Sequence, residues 1–238
     1  MLIQKIVNFS KNKKIIFLIG AVLLIALVFL LNLLGQWAIS KWGDSLLSED
    51  KKTQMAGGEV KLSGNGSQKS DAFVLKKGLT VFDFEYKGKN GFSAVLADKD
   101  GIKAELLISE KNDAVEDFKI KTISKEGDYQ LSILGEGDWQ ITIKELNAKK
   151  DVTKNRKIKG ENRGLSDFFN LSSGQINFKL KNKGSSHYVF RLLSENGETD
   201  EILAKGVGSF EGEKNIDLSQ EGFYVLDIIS DGEWEIAY

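Results

Sequence analysis

The chain contains no cysteine and no proline. Lack of cysteine excludes disulfides, thiolate metal sites, cysteine nucleophiles and lipoprotein-type acylation together. An exported domain without disulfides is held by its core alone, which suits a bacterial envelope better than a small secreted eukaryotic protein. Without proline, the 24 glycines supply most of the turn punctuation. Histidine occurs once and the formal net charge is only −1. Neither a histidine-rich metal site nor the basic face of a nucleic-acid binder is therefore expected, and no cofactor is indicated. Charge is unevenly placed, however. Lys5, Lys11, Lys13 and Lys14 stand in residues 1–14 with no acid. Setting those four aside leaves 29 basic against 34 acidic side chains, a mildly acidic balance of −5.

Only one long apolar run is present. From Ile15 to Leu34 the chain reads IIFLIGAVLLIALVFLLNLL, with Asn32 as its one strongly polar side chain. About 20 residues at roughly 1.5 Å each match the hydrocarbon core of a bilayer. The lysines before it place residues 1–14 in the cytoplasm, residues 15–36 across the bilayer, and the remainder outside the cytoplasm. Trp37 and Trp42 follow at the depth that indole rings favour, as membrane-interface anchors. A cleaved signal peptide is the alternative, with Ala38-Ile39-Ser40 as its site, but its apolar region would be shorter. Residues 37–57 read as a juxtamembrane stalk or as an amphipathic continuation lying on the membrane surface.

The rest of the chain repeats itself. At an offset of 96 residues, Gly64, Ser70-Asp71, Phe73, Leu75, Gly78, Phe82, Lys87-Gly88, Leu96 and Gly101 all meet identical residues. Further on, an offset of 95 matches Glu126-Gly127, Tyr129, Leu131, Ile133, Gly137, Trp139 and Ile141 with residues ending at Trp234 and Ile236. So many identities in one order indicate a duplication. Phe73–Leu75, Thr80–Phe84, Tyr129–Ile133 and Trp139–Ile143 alternate apolar with polar residues, the period of half-buried strands. Asp100-Gly101, Asn196-Gly197 and Asp231-Gly232 read as tight turns in which glycine supplies a positive φ. The expected fold class is all-β: two tandem antiparallel β-sandwich, jelly-roll-like domains after one N-terminal transmembrane α-helix. Residues 58–146 form the first and residues 157–238 the second. Residues 147–156, polar and basic, form a linker expected to act as a hinge between independently folding units.

The succession Asp-x-Phe-x-Leu-x-x-Gly, Gly-x-Tyr-x-Leu-x-Ile and Gly-x-Trp-x-Ile in both copies resembles the β-sandwich accessory domains of bacterial secreted proteins, notably the pre-peptidase C-terminal type. That resemblance implies a sandwich fold and an extracytoplasmic setting. The closing tryptophans, Trp139 and Trp234, depart from it.

Chemistry is sparse. His187 sits in Ser185-Ser186-His187-Tyr188, where adjacency is not a catalytic triad. Asp98-Lys99-Asp100-Gly101 has the look of a calcium loop, but a hairpin turn accounts for both copies. Ser70-Asp71 and Ser166-Asp167 fit caps on backbone amides at a strand entrance. Trp139 and Trp234 are in phase with Ile141 and Ile236, which points them into the core rather than onto a sugar. Lys149, Lys150, Lys154, Arg156 and Lys157 form a basic cluster that could touch an envelope polymer or anionic lipid, or simply be solvated. The expected function is non-enzymatic: an envelope protein whose sandwiches bind a protein partner, or alternatively a cell-wall polymer or carbohydrate. Exposed aromatics on a sheet face would favour the second reading, and an apolar patch the first.

Overall fold

The computed structural model describes residues 59–148 and 156–238. The basic segment, the expected transmembrane helix, the stalk, Trp37, Trp42, Lys149, Lys150 and Lys154 lie outside the described residues. Among the described residues no helix is long and apolar enough to cross a membrane, and the regular elements are all strands.

The first repeat contains β1 (Glu59–Asn65), β2 (Gln68–Lys69), β3 (Phe73–Leu75), β4 (Gly78–Asp98), β5 (Ala104–Glu110), β6 (Ala114–Ile123) and β7 (Gly127–Glu145). Alternation suggests only short strands, yet β4 and β7 are long and change sheet half-way along. The corner of β4 is made by Asn90 and Gly91, at φ 62° and 84°, where the register with β7 jumps between Lys89 and Phe92. Asparagine and glycine are the residues that tolerate this left-handed backbone. The first half of β4 pairs with β6 and the second half of β7, which β1 flanks; we term this sheet I. The second half of β4 pairs with β5 and the first half of β7, flanked by β2 and β3, as sheet II. Val60, Phe82, Phe84 and Ile143 from sheet I meet Phe73, Phe92, Leu131 and Ile133 from sheet II in one buried cluster. Each such side chain stabilises the fold by roughly 1.5–3 kcal/mol relative to exposure.

The second repeat contains β8 (Lys157–Glu161), β9 (Gly164–Leu165), β10 (Phe169–Leu171), β11 (Gly174–Asn182), β12 (His187–Ser194), β13 (Asp200–Val207), β14 (Phe210–Leu218), β15 (Gly222–Ile229) and β16 (Glu233–Ala237). Strands that are continuous in the first copy are divided here. Asp231 accepts hydrogen bonds from the Ser185 amide (2.8 Å) and hydroxyl (2.8 Å) and from the Ser186 amide (3.1 Å), so these groups leave the ladder. Sheet I runs β14-β11-β16-β8 and sheet II β10-β15-β12-β13. The short β9 also pairs with β15, beside β10 on the same edge. With β9 and β10 counted as one edge, two antiparallel sheets in this interleaved order make an eight-stranded jelly roll, and the first repeat has the same order when β4 and β7 are each counted as two strands.

The duplicated residues make duplicated bonds. The Ser70 hydroxyl accepts from the Leu131 amide (2.9 Å), and Ser166 does the same for Leu226 (2.8 Å), as expected of caps. The Tyr129 hydroxyl donates to the Lys125 carbonyl (2.7 Å) and Tyr224 to that of Gln220 (2.9 Å). The Trp139 indole donates to the Gly66 carbonyl and that of Trp234 to Asn162, both at 3.0 Å. Each tryptophan is buried and lies over a cross-strand glycine, Gly64 or Gly160. A Cβ on those glycines would stand 2.5 Å and 2.2 Å from the rings, which is why glycine occurs at both. Gly101 and Gly197 do supply positive φ, 69° and 73°. Gly232 does not: it is needed because the backbone of Gly184 passes 2.8 Å from where its Cβ would be.

Candidate functional site

The outward-facing residues on a sandwich strand should be polar, and on two faces several are apolar. On sheet I of the first repeat Leu79 and Ile120 point outward, and on sheet II of the second so do Leu193 and Val225. All four are nonetheless buried, at 1–8 % exposure, because they pack on one another. Val81, Phe118 and Leu146 of the first repeat and Leu165 and Phe168 of the second surround them. Both repeats thus belong to one compact unit. Where the sequence suggests a hinge between independent units, described sheet faces of the two repeats share a core.

Arg163, between β8 and β9, closes the edge of this contact. Its guanidinium donates to the Asp227 carboxylate, to the Ile228 carbonyl (2.9 Å) and, across the junction, to the Phe118 carbonyl (3.2 Å). The guanidinium carbon stands 4.1 Å from the centroid of the Phe118 ring, and Asp117 lies 3.7 Å from its Nε. Asp227, 8 % exposed, also faces Arg191 at 3.8 Å, and Arg191 holds Asp200 through two bonds of 2.6 Å. The Arg191 guanidinium keeps the Asp200 carboxyl below its ordinary pKa. The turn after β12 docks as well: the Ala148 amide donates to Glu195 (2.7 Å), and Gly197 sits where a Cβ would come within 2.1 Å of the Thr122 methyl. Arg163, Asp227, Arg191 and Asp200 are all partnered, so the chemistry of the junction is adhesive. It fixes two modules in one geometry.

The residues singled out by sequence are scattered. Arg156 is exposed, and its carbonyl accepts from the Tyr238 amide (3.0 Å). Lys157 pairs with Glu235 at 2.6 Å. That pair begins a ladder on the outer face of sheet I in the second repeat, over a shallow depression of about 410 Å³. Lys183 holds Glu233 below the usual carboxylate range, and Lys157 does the same for Glu235. His187 is exposed at the start of β12. The Asp98 carboxylate accepts from the amides of Ile102 (2.7 Å) and Lys103 (3.2 Å), the work of a hairpin turn. Leu106, Leu134, Ile202 and Ile229 remain well exposed on sheet faces.

The junction escapes a reading of either repeat alone. Its signal lies in the mismatches between them: Leu79 and Val81 align with Gln175 and Asn177, and Leu193 and Val225 with Ala97 and Gln130. Arg163 aligns with Ser67 and Asp227 with Ser132. A position apolar or charged in one copy and bland in the other marks a face covered once.

No family model and no curated protein matches the chain. Among solved structures it is similar to the PBSX exported protein XepA, at 10 % identity and a TM-score of 0.24 over 75 % of this chain and 86 % of that one. It is also similar to the CBM22-1-CBM22-2 tandem domain of Xyn10C from Paenibacillus barcinonensis, at 7 % identity and a TM-score of 0.24, covering 76 % and 90 %. A triple jelly roll protein from an archaeal virus gives 12 % and 0.28, covering 75 % and 57 %. Likeness at these TM-scores carries no argument, and the jelly-roll assignment rests on strand order.

Proposed function

We propose that this chain is a membrane-anchored, extracytoplasmic scaffold of the cell envelope that binds a protein partner through the flat faces of its two sandwiches. The anchor is residues 15–36, with Trp37 and Trp42 at the outer interface and the N-terminus in the cytoplasm. The sandwiches are accessory modules of the kind resembled by the pre-peptidase C-terminal type, and the role is binding rather than catalysis. The observation that carries the choice of partner is the character of the exposed apolar side chains. Among the described residues they are Ile102, Leu106, Leu134, Ile202, Val207 and Ile229, all aliphatic. Sugar-binding faces stack aromatic rings on pyranose rings and none of these side chains is aromatic, whereas exposed apolar patches of any kind mark protein contact. Trp139 and Trp234 are committed to the cores.

Two measurements test the reading. A reporter fused after Tyr238 should be active outside the cytoplasm, with the chain in the membrane fraction; a cytoplasmic signal refutes the orientation. Photo-crosslinking from position 202 or 229 in the full chain should trap a discrete protein. Retention on wall polymer, with no protein adduct, would replace this reading by the polymer one.

A further inference from the structure

The two copies differ sharply at one end of the sandwich. Three loops of the first repeat adjoin there: residues 76–77 between β3 and β4, residues 99–103 between β4 and β5, and residues 124–126 between β6 and β7. The Lys99 amide donates to the Asp128 carbonyl (2.9 Å), and Leu75 pairs with Gly127, which brings the three together. Lys76, Lys77, Lys99, Lys103 and Lys125 stand exposed on these loops against Asp100 and Glu126, a balance of +3. None of these lysines recurs in the second repeat, where Ser172, Ser173, Glu195, Thr199 and Gln220 take their places. With Glu198 and Glu221 the counterpart loops come to −3. The tip changes in the same sense. Ile102, 80 % exposed, aligns with Glu198.

In the second repeat the loop after β12 is used at the junction, where Gly197 sits against Thr122 and Glu195 holds the Ala148 amide. In the first repeat the same loop turns an aliphatic tip to solvent, with a lysine at each end. Asp98 alone caps that turn, so Ile102 is not needed to form it. An exposed isoleucine is stabilised by any apolar cover, and lysines beside it favour phosphate at the rim. A bilayer surface supplies both, acyl chains beneath a layer of phosphates. The path of the chain favours that occupant. Glu59, where the described fold begins, pairs with Lys144, and the Lys76 amide donates to the neighbouring Glu145 carboxylate (2.8 Å). Residues 35–58 thus join the apolar run to the end of the sandwich that carries the lysines, and not to the opposite end. Lys77 faces Glu198 of the second repeat at 4.0 Å. We propose that this end of the first repeat docks on the bilayer that holds the anchor, with Ile102 entering the headgroup layer and Lys76, Lys99, Lys103 and Lys125 meeting anionic lipid phosphates. Such a contact would hold a free protein only weakly. A tether in the same surface makes it intramolecular, at an effective concentration on the order of millimolar. The inference rests on the anchor reading and is independent of the protein partner.

Because the chain lacks cysteine, a single substitution places a unique dye. Full-length Ser124→Cys carries it on the lysine-bearing end, and Asn112→Cys, between β5 and β6, carries it at the opposite end. Each is reconstituted in vesicles of phosphatidylcholine and phosphatidylglycerol that contain a lipid with a spin-label quencher on its headgroup. Quenching is expected at position 124 and not at 112. It should fall at least about fivefold when Lys76, Lys103 and Lys125 are replaced by glutamine, or when phosphatidylglycerol is left out. I102S should also lower it. All four side chains are exposed, so the urea midpoint of these variants should stay in place. Equal quenching at both positions, or none at 124 in a chain that alkaline carbonate leaves in the vesicles, overturns the proposal while the anchor reading stands. A dye at 124 that responds to soluble polyphosphate and not to the lipid quencher overturns it as well. Extraction of the chain by carbonate overturns the anchor reading, and this inference falls with it.

Discussion

Replacing Arg163 with alanine tests the idea that the two sandwiches unfold as one. The side chain makes a charged bond to Asp227, bonds to the carbonyls of Ile228 and Phe118, and stacks on Phe118. A buried pair broken from one side typically costs 3–5 kcal/mol, but here Asp227 keeps Arg191 at 3.8 Å and Arg163 is itself 22 % exposed. A cost of about 3 kcal/mol is therefore expected for R163A. Against a D227N background no buried charge is stranded, and the same change should cost only about 1–1.5 kcal/mol, the worth of the remaining bonds and the ring contact. The difference, about 1.5–2 kcal/mol, is the coupling that a double-mutant cycle reads. The assay is urea unfolding of residues 58–238, followed by fluorescence. Trp139 reports the first repeat and Trp234 the second, each isolated by W234F or W139F. One shared transition is expected in the parent, and two separated transitions in R163A. A coupling below about 0.5 kcal/mol, or two transitions already in the parent, would refute the reasoning.

Three further outcomes are expected. W234A should destabilise the second repeat by about 3–5 kcal/mol, as large-to-small aromatic changes in cores do; an unmoved midpoint with lost polysaccharide binding would make the ring a ligand platform instead. G101A and G197A impose the same left-handed strain, about 1 kcal/mol, but only G197A also meets the Thr122 methyl. It should therefore cost more, and T122S should remove the excess; equal costs would argue against the docked turn. The hydrogen bonds from Ser185 and Ser186 lower the Asp231 pKa from 3.8 to about 2. Because the folded value is depressed, this stabilisation is complete above pH 3.8 and is lost as pH falls through about 2. The amide shifts of Ser185 and Ser186 should titrate with that low midpoint, and a midpoint near the ordinary value would dismiss the cap.

Much of each sandwich can be read from one copy, because period-two alternation and turn glycines act locally. The inward phase of Trp139 and Trp234 and the caps at Ser70 and Ser166 follow from residue type and position alone. The length of β4 and β7 does not, since a bend that keeps the ladder intact and a turn that ends it use the same glycine and asparagine signals. Val81 also illustrates the limit. In Thr80-Val81-Phe82 it occupies the outward phase, where an apolar residue looks incidental until the second sandwich covers it. Arg163 reads as a solvated loop residue for the same reason: its partners, Phe118 and Asp227, are 45 and 64 positions away, and only the fold brings them together.

The mismatched faces also decide what can dock on the second sandwich. A third sandwich copied from the second would bring its own Leu193, Val225 and Arg163 equivalents, ready to dock. It would meet Gln175, Asn177, Glu213 and Asn215 where the existing junction offers Leu79, Val81, Phe118 and Ile120. Docking of another such module on this face is thus decided by four side chains. Exchanging those four for their counterparts is the minimal edit that would turn a two-module body into an extensible rod, its reach growing by one sandwich thickness per added copy.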